Sequence, residues 1–477
     1  MFSAWRRRLG ALIGGFDAGL GNRRLRGFVA SRAHVNTLIQ AAGADMTARA
    51  RYLIRNNGYA ANAVEAFAAN AVGYGIKPKS RAAEPEIRAA IHKLWAMWCD
   101  EADSEWLTDF YGLQRRVARE LFIAGEVFVR IRSRWPEDGL VVPLQLQLIP
   151  SEMLPLTNRS LDNGNALRHG IEFDKIGRRV AYHFYRRHPG DVTDPGLTGE
   201  TVRVPASEVI HVVDPVDAGQ LRGVSRFAPA IVKLFLLDQY DDAELDRKKV
   251  AAMFAGFVRR PAPEYGAQDT DGDGAEIMPL EPGQLQVLGP GEDITFSTPA
   301  DVGGQYEAFQ YRTLLQVSAA LGIPYAVLTN DMVKANYSNT RAALLEFRRR
   351  IEAFQYSVLV YQFCRPIYAR WIAVAALSGA LDLPNWRARR REYQSAEWLT
   401  PKWEWVDPLK DAKAEIEQIR AGLKSRAQAV AERGMDIEEL DAEIAQDCAR
   451  ARALGLDFGQ AMQGAPAAPE VLGEENA

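Results

Sequence analysis

Apolar residues at Tyr306, Phe309, Leu314, Val317 and Leu321 recur at helical spacing and stop at Gly322 and Pro324, which predicts a helix ending there. From Thr329 to Thr340 the chain is rich in Asn, Asp, Ser and Thr, side chains that hydrogen-bond their own backbone, and a polar loop is expected. Thr340 can cap the long helix that follows. Phe347, Ile351, Phe354, Val358 and Tyr361 form one stripe of that helix, with Arg348, Arg349 and Arg350 beside or opposite it, and Pro366 should kink it.

Upstream, residues 47–72 read as a helix in which Arg49, Arg51 and Arg55 alternate with apolar residues, a pattern that reads as a solvated face. Leu121 to Arg130 switches to alternation, a strand entered after Gly125. Short strands at 144–149, 169–173, 180–185 and 209–213 continue an α+β region. Ser225 then caps a helix expected to run to about Phe254, on the order of 40 Å at 1.5 Å per residue. Its first half is apolar nearly all round apart from Lys233, and its second half carries Asp238, Asp241, Asp242, Glu244 and Asp246. One end is therefore expected in a core and the other at a solvent or assembly surface. Residues 256–305 turn to Gly, Pro and Asp with short alternating runs, a small module at the tip of a helical hairpin. Beyond Gly379 come Tyr393, Trp398, Trp403 and Trp405, read as core aromatics, then helices with acidic faces and an Ala/Pro/Gly-rich, disordered end after 461.

The 477 residues exceed one simple core, and 47% hydrophobic with 25% charged residues is the composition of a folded soluble protein. A net charge of -3 excludes holding nucleic acid by bulk electrostatics. Cys99, Cys364 and Cys448 are odd in number and far apart, giving neither a disulfide framework nor a metal site and implying a reducing compartment. No 18-residue uncharged apolar stretch predicts a membrane span. The six histidines lack metal-ligand spacing, and no nucleophile elbow or dinucleotide fingerprint is present. Glu126, Glu152 and Asp174 are the carboxylates from which a hydrolytic pair would have to be drawn, yet nothing in the sequence brings two together. Asp269, Asp271, Asp273 and Gly274 imitate half of an EF-hand, but Leu280 stands where a bidentate Glu is needed, so an acidic loop is expected. Neither a catalytic group, a metal nor a cofactor is expected.

Several segments, in order, resemble the lambda-like portal proteins of tailed phages. They are Arg51-Tyr-Leu-Ile-Arg-Asn-Asn57, Asn70-Ala-Val-Gly-Tyr-Gly-Ile-Lys-Pro78 and Gly219-Gln-Leu-Arg-Gly-Val-Ser225, then Leu321-Gly-Ile-Pro-Tyr325 through Asn336-Tyr-Ser-Asn-Thr-Arg341, and Val406-Asp-Pro-Leu-Lys410. The resemblance implies an α+β portal fold with an α/β wing (1–224), a two-helix stem (225–255 and 306–325), a small β-containing clip (256–305), a channel loop (326–340), a long kinked helix (341–400) and a helical crown (401–477). It further implies a non-enzymatic ring of about twelve subunits at the capsid vertex of the virion, assembled in the host cytoplasm. Double-stranded DNA would pass through it, and terminase, head-tail adaptor, major capsid and scaffold proteins would dock on it, with no membrane involved. Asn330, Asp331, Lys334, Asn336, Ser338 and Asn339 are the candidate residues of the DNA-channel loop. Two rival readings are a cytoplasmic α+β hydrolase and a monomeric nucleic-acid-binding adaptor using the N-terminal arginines.

Overall fold

The computed structural model describes residues 30–193, 199–252, 256–259, 293–296, 306–333, 337–401, 408–433 and 435–456. It opens with α1 (Val35–Asn56) and α2 (Gly58–Val72), separated at Asn57. The single helix expected over 47–72 is therefore two. Asn57 leaves the helical backbone and its side chain accepts from the Ala60 N–H at 2.8 Å, an N-cap that starts α2 afresh. Of the three arginines read as solvated, Arg49 and Arg55 are exposed. Arg51 is not, because its guanidinium is clamped between Glu120 and Glu152.

After β1 (Lys77–Ser80) come α3 (Pro85–Glu101) and α4 (Phe110–Ala124). Asp109 caps α4 and Gly125 ends it in the left-handed conformation. The region expected as the wing then holds β2 (Glu126–Ser133), β3 (Leu144–Ile149), β4 (Arg159–Ser160), β5 (Ala166–Arg168), β6 (Ile171–Phe173), β7 (Arg179–Tyr185), β8 (Thr201–Pro205) and β9 (Val209–Val213). They form a three-stranded sheet in the order β3-β2-β9 and a five-stranded meander β4-β5-β6-β7-β8, both antiparallel. Strand β2 is buried on both faces. Val127, Val129 and Ile131 join the main core, whereas Phe128 packs with Tyr182 and Phe184 in a second core between the sheets.

The two helices expected as the stem are α5 (Ile231–Ala252) and α6 (Tyr306–Leu321), and between them β10 (Gly256–Arg259) pairs with β11 (Asp293–Phe296). The rest of 260–305, including the imitation EF-hand, lies outside the described residues. Helix α5 starts six residues later than expected from Ser225. Pro229 has no N–H to give the Ser225 carbonyl, so Ala228 bonds it instead and 226–230 stay as turns.

The chain continues through α7 (Tyr325–Thr329), α8 (Tyr337–Phe354), a π-helical segment Gln355–Cys364 and α9 (Arg365–Ser378), then α10 (Trp386–Tyr393) and β12 (Ala396–Leu399). The π segment corrects the expected stripe. Phe347, Ile351, Phe354 and Val358 are buried, but Tyr361 is 65% exposed. Bonding from i to i+5 adds a residue to the turn, so the buried row slips to Leu359, Phe363 and Ile367. Pro366 follows that widened stretch, in the first turn of α9. Strand β12 returns to pair with β1, tying the region after the long helix to the start of the wing. Trp95, Trp98, Phe110, Tyr368 and Trp371 join helices α3, α4 and α9 in one aromatic cluster. Tyr393 and Trp398 are buried as expected, and Trp403 and Trp405 lie outside the described residues. Helices α11 (Pro408–Arg420), α12 (Arg426–Glu432) and α13 (Ile437–Ala453) complete the chain. Lys79–Asp436 and Arg88–Glu438 ion pairs hold them to β1 and α3.

Candidate functional site

Helix α6 ends because Gly322 takes a positive φ of 71° and its N–H closes onto the Ser318 carbonyl. Ile323 bonds the same carbonyl, and the Ser318 hydroxyl donates back to the Ile323 carbonyl at 2.5 Å. This compact stop sends the chain into α7, a short helix where the sequence suggested loop. Asn62 on α2 holds it in place, its amide donating to the carbonyls of Val327 and Leu328 at 2.8 Å each.

The segment that follows is built by local side-chain bonds, as its composition indicated. Asn330 is left-handed at φ 56°. The Thr329 hydroxyl donates to the Tyr325 carbonyl and accepts from the Asp331 N–H, and the Asp331 carboxylate accepts from the Val333 N–H at 2.9 Å and from the Tyr325 hydroxyl at 3.2 Å. Beyond Asp331 the chain is less polar than expected, with Met332 and Val333 exposed. Lys334 and Asn336 lie outside the described residues. Ser338 and Asn339 belong to the first turn of α8, which begins three residues ahead of the Thr340 cap expected from sequence.

Carboxylates gather where this segment approaches the stem. Asn57 donates to Asp238 at 2.6 Å, and Tyr306 and Gln310 on α6 donate to Asp241. Burial raises the Asp238 pKa, with Asp241 and Asp242 adding to it. Burial raises the Tyr59 pKa first, and the charges of Asp241, Asp238 and Asp331 add to it. Burial and Asp241 push Tyr306 up to about 12.

The stem has two apolar faces. Leu234 and Leu237 are buried, while Val232, Phe235 and Leu236 are 65%, 46% and 55% exposed. The expectation of an all-round apolar first half is thus met by one row packed inside the subunit and another left open. Tyr240 stacks on Tyr306 and tilts against Phe309, joining the two stem helices farther along.

A second constellation sits at the wing's centre, and sequence reasoning missed it. Glu126, 1% exposed, accepts from Arg222 Nε at 2.7 Å, His211 Nε2 at 2.9 Å, the Ser151 hydroxyl at 2.6 Å and the Gly223 N–H at 2.7 Å. The other donors of Arg222 reach the carbonyls of Leu154, His169 and Ser151. Burial alone would raise the Glu126 pKa, but Arg222 and His211 outweigh it and hold the carboxyl well below the usual range. Burial lowers the His211 pKa, and because the Arg179 guanidinium can only donate, Nδ1 accepts from it at 3.1 Å while Nε2 donates to Glu126. Gly125 and Gly223 cross backbone to backbone here. A Cβ on Gly125 would stand 2.2 Å from the Val224 carbonyl oxygen, and one on Gly223 would stand 2.4 Å from the Gly125 carbonyl carbon. The sequence marks the segment Gly219-Gln-Leu-Arg-Gly-Val-Ser225 that holds Arg222 and Gly223, but nothing local in it names Glu126 or the other partners.

The carboxylates considered for hydrolysis are all spoken for. Glu126 is held as described, Glu152 faces Arg51, and Asp174 closes a turn with Arg178. Glu172 binds Arg203, His183, Asn163 and Asn165, and the Arg203 bond leads in lowering its pKa to about 2. Among the described residues no cluster of His, Cys, Asp or Glu could hold a metal, and no helix is long and apolar enough to cross a membrane.

The sequence profile of phage portal proteins of the lambda family matches residues 21–355. The chain belongs to that family. It is 29% identical over 439 residues to the probable portal protein of Halomonas phage phiHAP-1, covering 87% of this chain and 82% of the relative. It is 25% identical over 460 residues to portal protein B of Escherichia phage lambda (86% and 84% covered) and 24% identical over 463 residues to the portal protein of Escherichia phage N15 (86% and 85% covered). Among solved structures, the neck of a native gene transfer agent particle computed with C12 symmetry aligns at a TM-score of 0.45 with 14% identity, covering 80% of this chain and 92% of the other. A chain of the native gene transfer agent virion aligns at 0.46 with 13% identity, covering 91% and 98%. The expectation of a phage portal protein, structural and mixed α/β, is borne out, and the hydrolase and monomeric-adaptor readings gain no support.

Proposed function

We propose that this portal protein acts as one subunit of a closed ring of about twelve at the capsid vertex, through which a separate motor drives double-stranded DNA. Family membership carries the portal reading, and the open apolar row on α5 supports the ring. A heterologous ring contact joins one surface of each subunit to a different surface of its neighbour, and Val232, Phe235 and Leu236 offer such a surface near the start of α5, with Leu245 farther along it and Phe309 on α6 also exposed. The polar stretch from Thr329 to Thr340 is assigned to the channel, with Lys334 as a transient phosphate contact, Asp331 repelling phosphate, and Asn330, Asn336, Ser338 and Asn339 offering neutral hydrogen bonds. A wall rich in carboxylates suits a conduit, because tight phosphate binding would stall a sliding polyanion.

In this reading residues 1–224 are the wing, 256–305 the clip that meets terminase and later head-tail adaptors, and 401–477 the crown. Major capsid and scaffold proteins surround the ring, which assembles in the host cytoplasm and has no catalytic activity of its own. The test pairs electron microscopy with packaging. Purified chain should form rings with a duplex-sized hole, and Lys334→Glu should impair DNA packaging or retention while leaving those rings intact. One screened contact per subunit, multiplied around a ring, is enough for that effect. A monodisperse monomer at high concentration would sink the ring, and normal packaging by Lys334→Glu rings would remove the loop from the channel.

A further inference from the structure

Helix α10 reads Trp-Arg-Ala-Arg-Arg-Arg-Glu-Tyr from Trp386 to Tyr393, and its two faces do different work. The inner face is fixed. Tyr393 is fully buried, stacks on Trp386 with ring centroids 6.4 Å apart, and donates its hydroxyl to the Pro384 carbonyl at 2.9 Å. Arg389 lies over the Tyr393 ring and pairs with both Glu84 and Glu392. Glu392 also accepts from the Ala83 N–H at 3.1 Å, so the one carboxylate of α10 is turned toward the Glu84 side.

The outer face carries Arg387, Arg390 and Arg391, spaced i, i+3 and i+4, all exposed. No ion pair joins them to a carboxylate among the described residues. Arg390 Nε donates to Gln394 Oε1 at 3.2 Å. Gln394 in turn donates to the Ala369 carbonyl at 2.7 Å, which brings the end of α10 against α9 beside Arg370, a fourth exposed arginine.

We propose that this outer face binds the phosphate backbone of double-stranded DNA, a contact separate from the channel loop; the proposal rests on the portal reading for the presence of DNA. In a chain with net charge -3, three guanidiniums rooted about 5–6 Å apart form a local cationic site. That spacing lets them reach successive phosphates, which rise about 3.4 Å apart along one strand. A protein partner fits less well. Protein interfaces centre on aromatic and aliphatic anchors, and no large apolar side chain is exposed from Ala380 to Pro401. Arginine-to-phosphate contact without base readout also suits a protein that must accept any sequence.

The test uses the full chain in its assembled form and a short fluorescent DNA duplex, with affinity measured across a salt series. R387Q/R390Q/R391Q should weaken binding at least tenfold at low salt and flatten the slope of log affinity against log salt by about 2–3, at roughly 0.9 per lost phosphate contact. R178Q, which removes an exposed arginine of the wing, should leave the slope unchanged. An unaltered slope in the triple variant overturns the proposal, as does an equal loss in the control, which would make the binding diffuse. Normal duplex binding together with failure to enter capsids would assign the face to a protein and likewise overturn it. Electron micrographs of the same samples report ring formation separately, so absence of rings counts against the portal reading and leaves the salt slope readable.

Discussion

In the wing, Glu126 meets a guanidinium, an imidazole, a hydroxyl and a backbone N–H drawn from three other segments of the chain, while on the stem Phe235 and Leu236 remain about half exposed. The two regions solve opposite problems. A buried charge costs several kcal/mol unless every partner is supplied, so the wing is complete within one chain. Exposed apolar side chains in a row cost little in the subunit but favour burial against something else, and in the proposed ring that something is the neighbouring subunit. On the proposed ring, the first region serves folding and the second assembly.

The sharpest way to break that division is at the stem. Phe235→Asp/Leu236→Asp puts two carboxylates into the proposed contact, where burial without partners is prohibitive. Rings should be lost from sedimentation profiles, with the wing's thermal unfolding little changed because Leu234 and Leu237, not the substituted pair, face the core. Rings that persist would mean the open row is not an interface.

Next in size is the wing. Arg222→Met leaves Glu126 buried with its counter-charge removed, and breaking such a pair costs about 3–5 kcal/mol. Chemical denaturation should show that loss, while whatever folds still forms rings. A change below about 1 kcal/mol would show that the Glu126 cluster is not what holds the two wing sheets, and the comparison would fail on that side.

How much of this could be read beforehand follows from the range of the interactions. Strands β2, β3, β6, β7 and β9, the stop at Gly322 and the self-bonding stretch after Thr329 depend on neighbours a few residues away, and the sequence displays them, whereas the short β4 and β5 carry too few residues to show a pattern and β8 was missed. The break at Asn57 was visible in principle, since an Asn before Gly58 is a strong cap, but the continuous alanine-rich pattern masked it. The slip that exposes Tyr361 was not visible, because a π segment changes the period that stripe counting assumes constant. Arg222 was beyond reach for another reason. Its partners Glu126, Ser151, Leu154 and His169 lie 53 to 96 residues away, and no local pattern announces a closure of that length.

The smallest effect is expected where the two regions meet. Asn62 stands on a wing helix, yet its amide bonds two carbonyls of α7, the element that leads from the stem into the assigned channel loop. Removing it should free those carbonyls to water rather than bury them unpaired, because Val327 and Thr329 beside them are partly exposed. Asn62→Ala should therefore cost only about 1–2 kcal/mol, the net worth of two neutral hydrogen bonds. Its consequence should be local. Hydrogen exchange at 325–333 should quicken several-fold while amides of β2 and β3, shielded in the wing cores, keep their protection. If exchange rises equally in both places, α7 is part of the wing's cooperative unit, and the boundary between folding and assembly has to be moved past Thr329 toward α8.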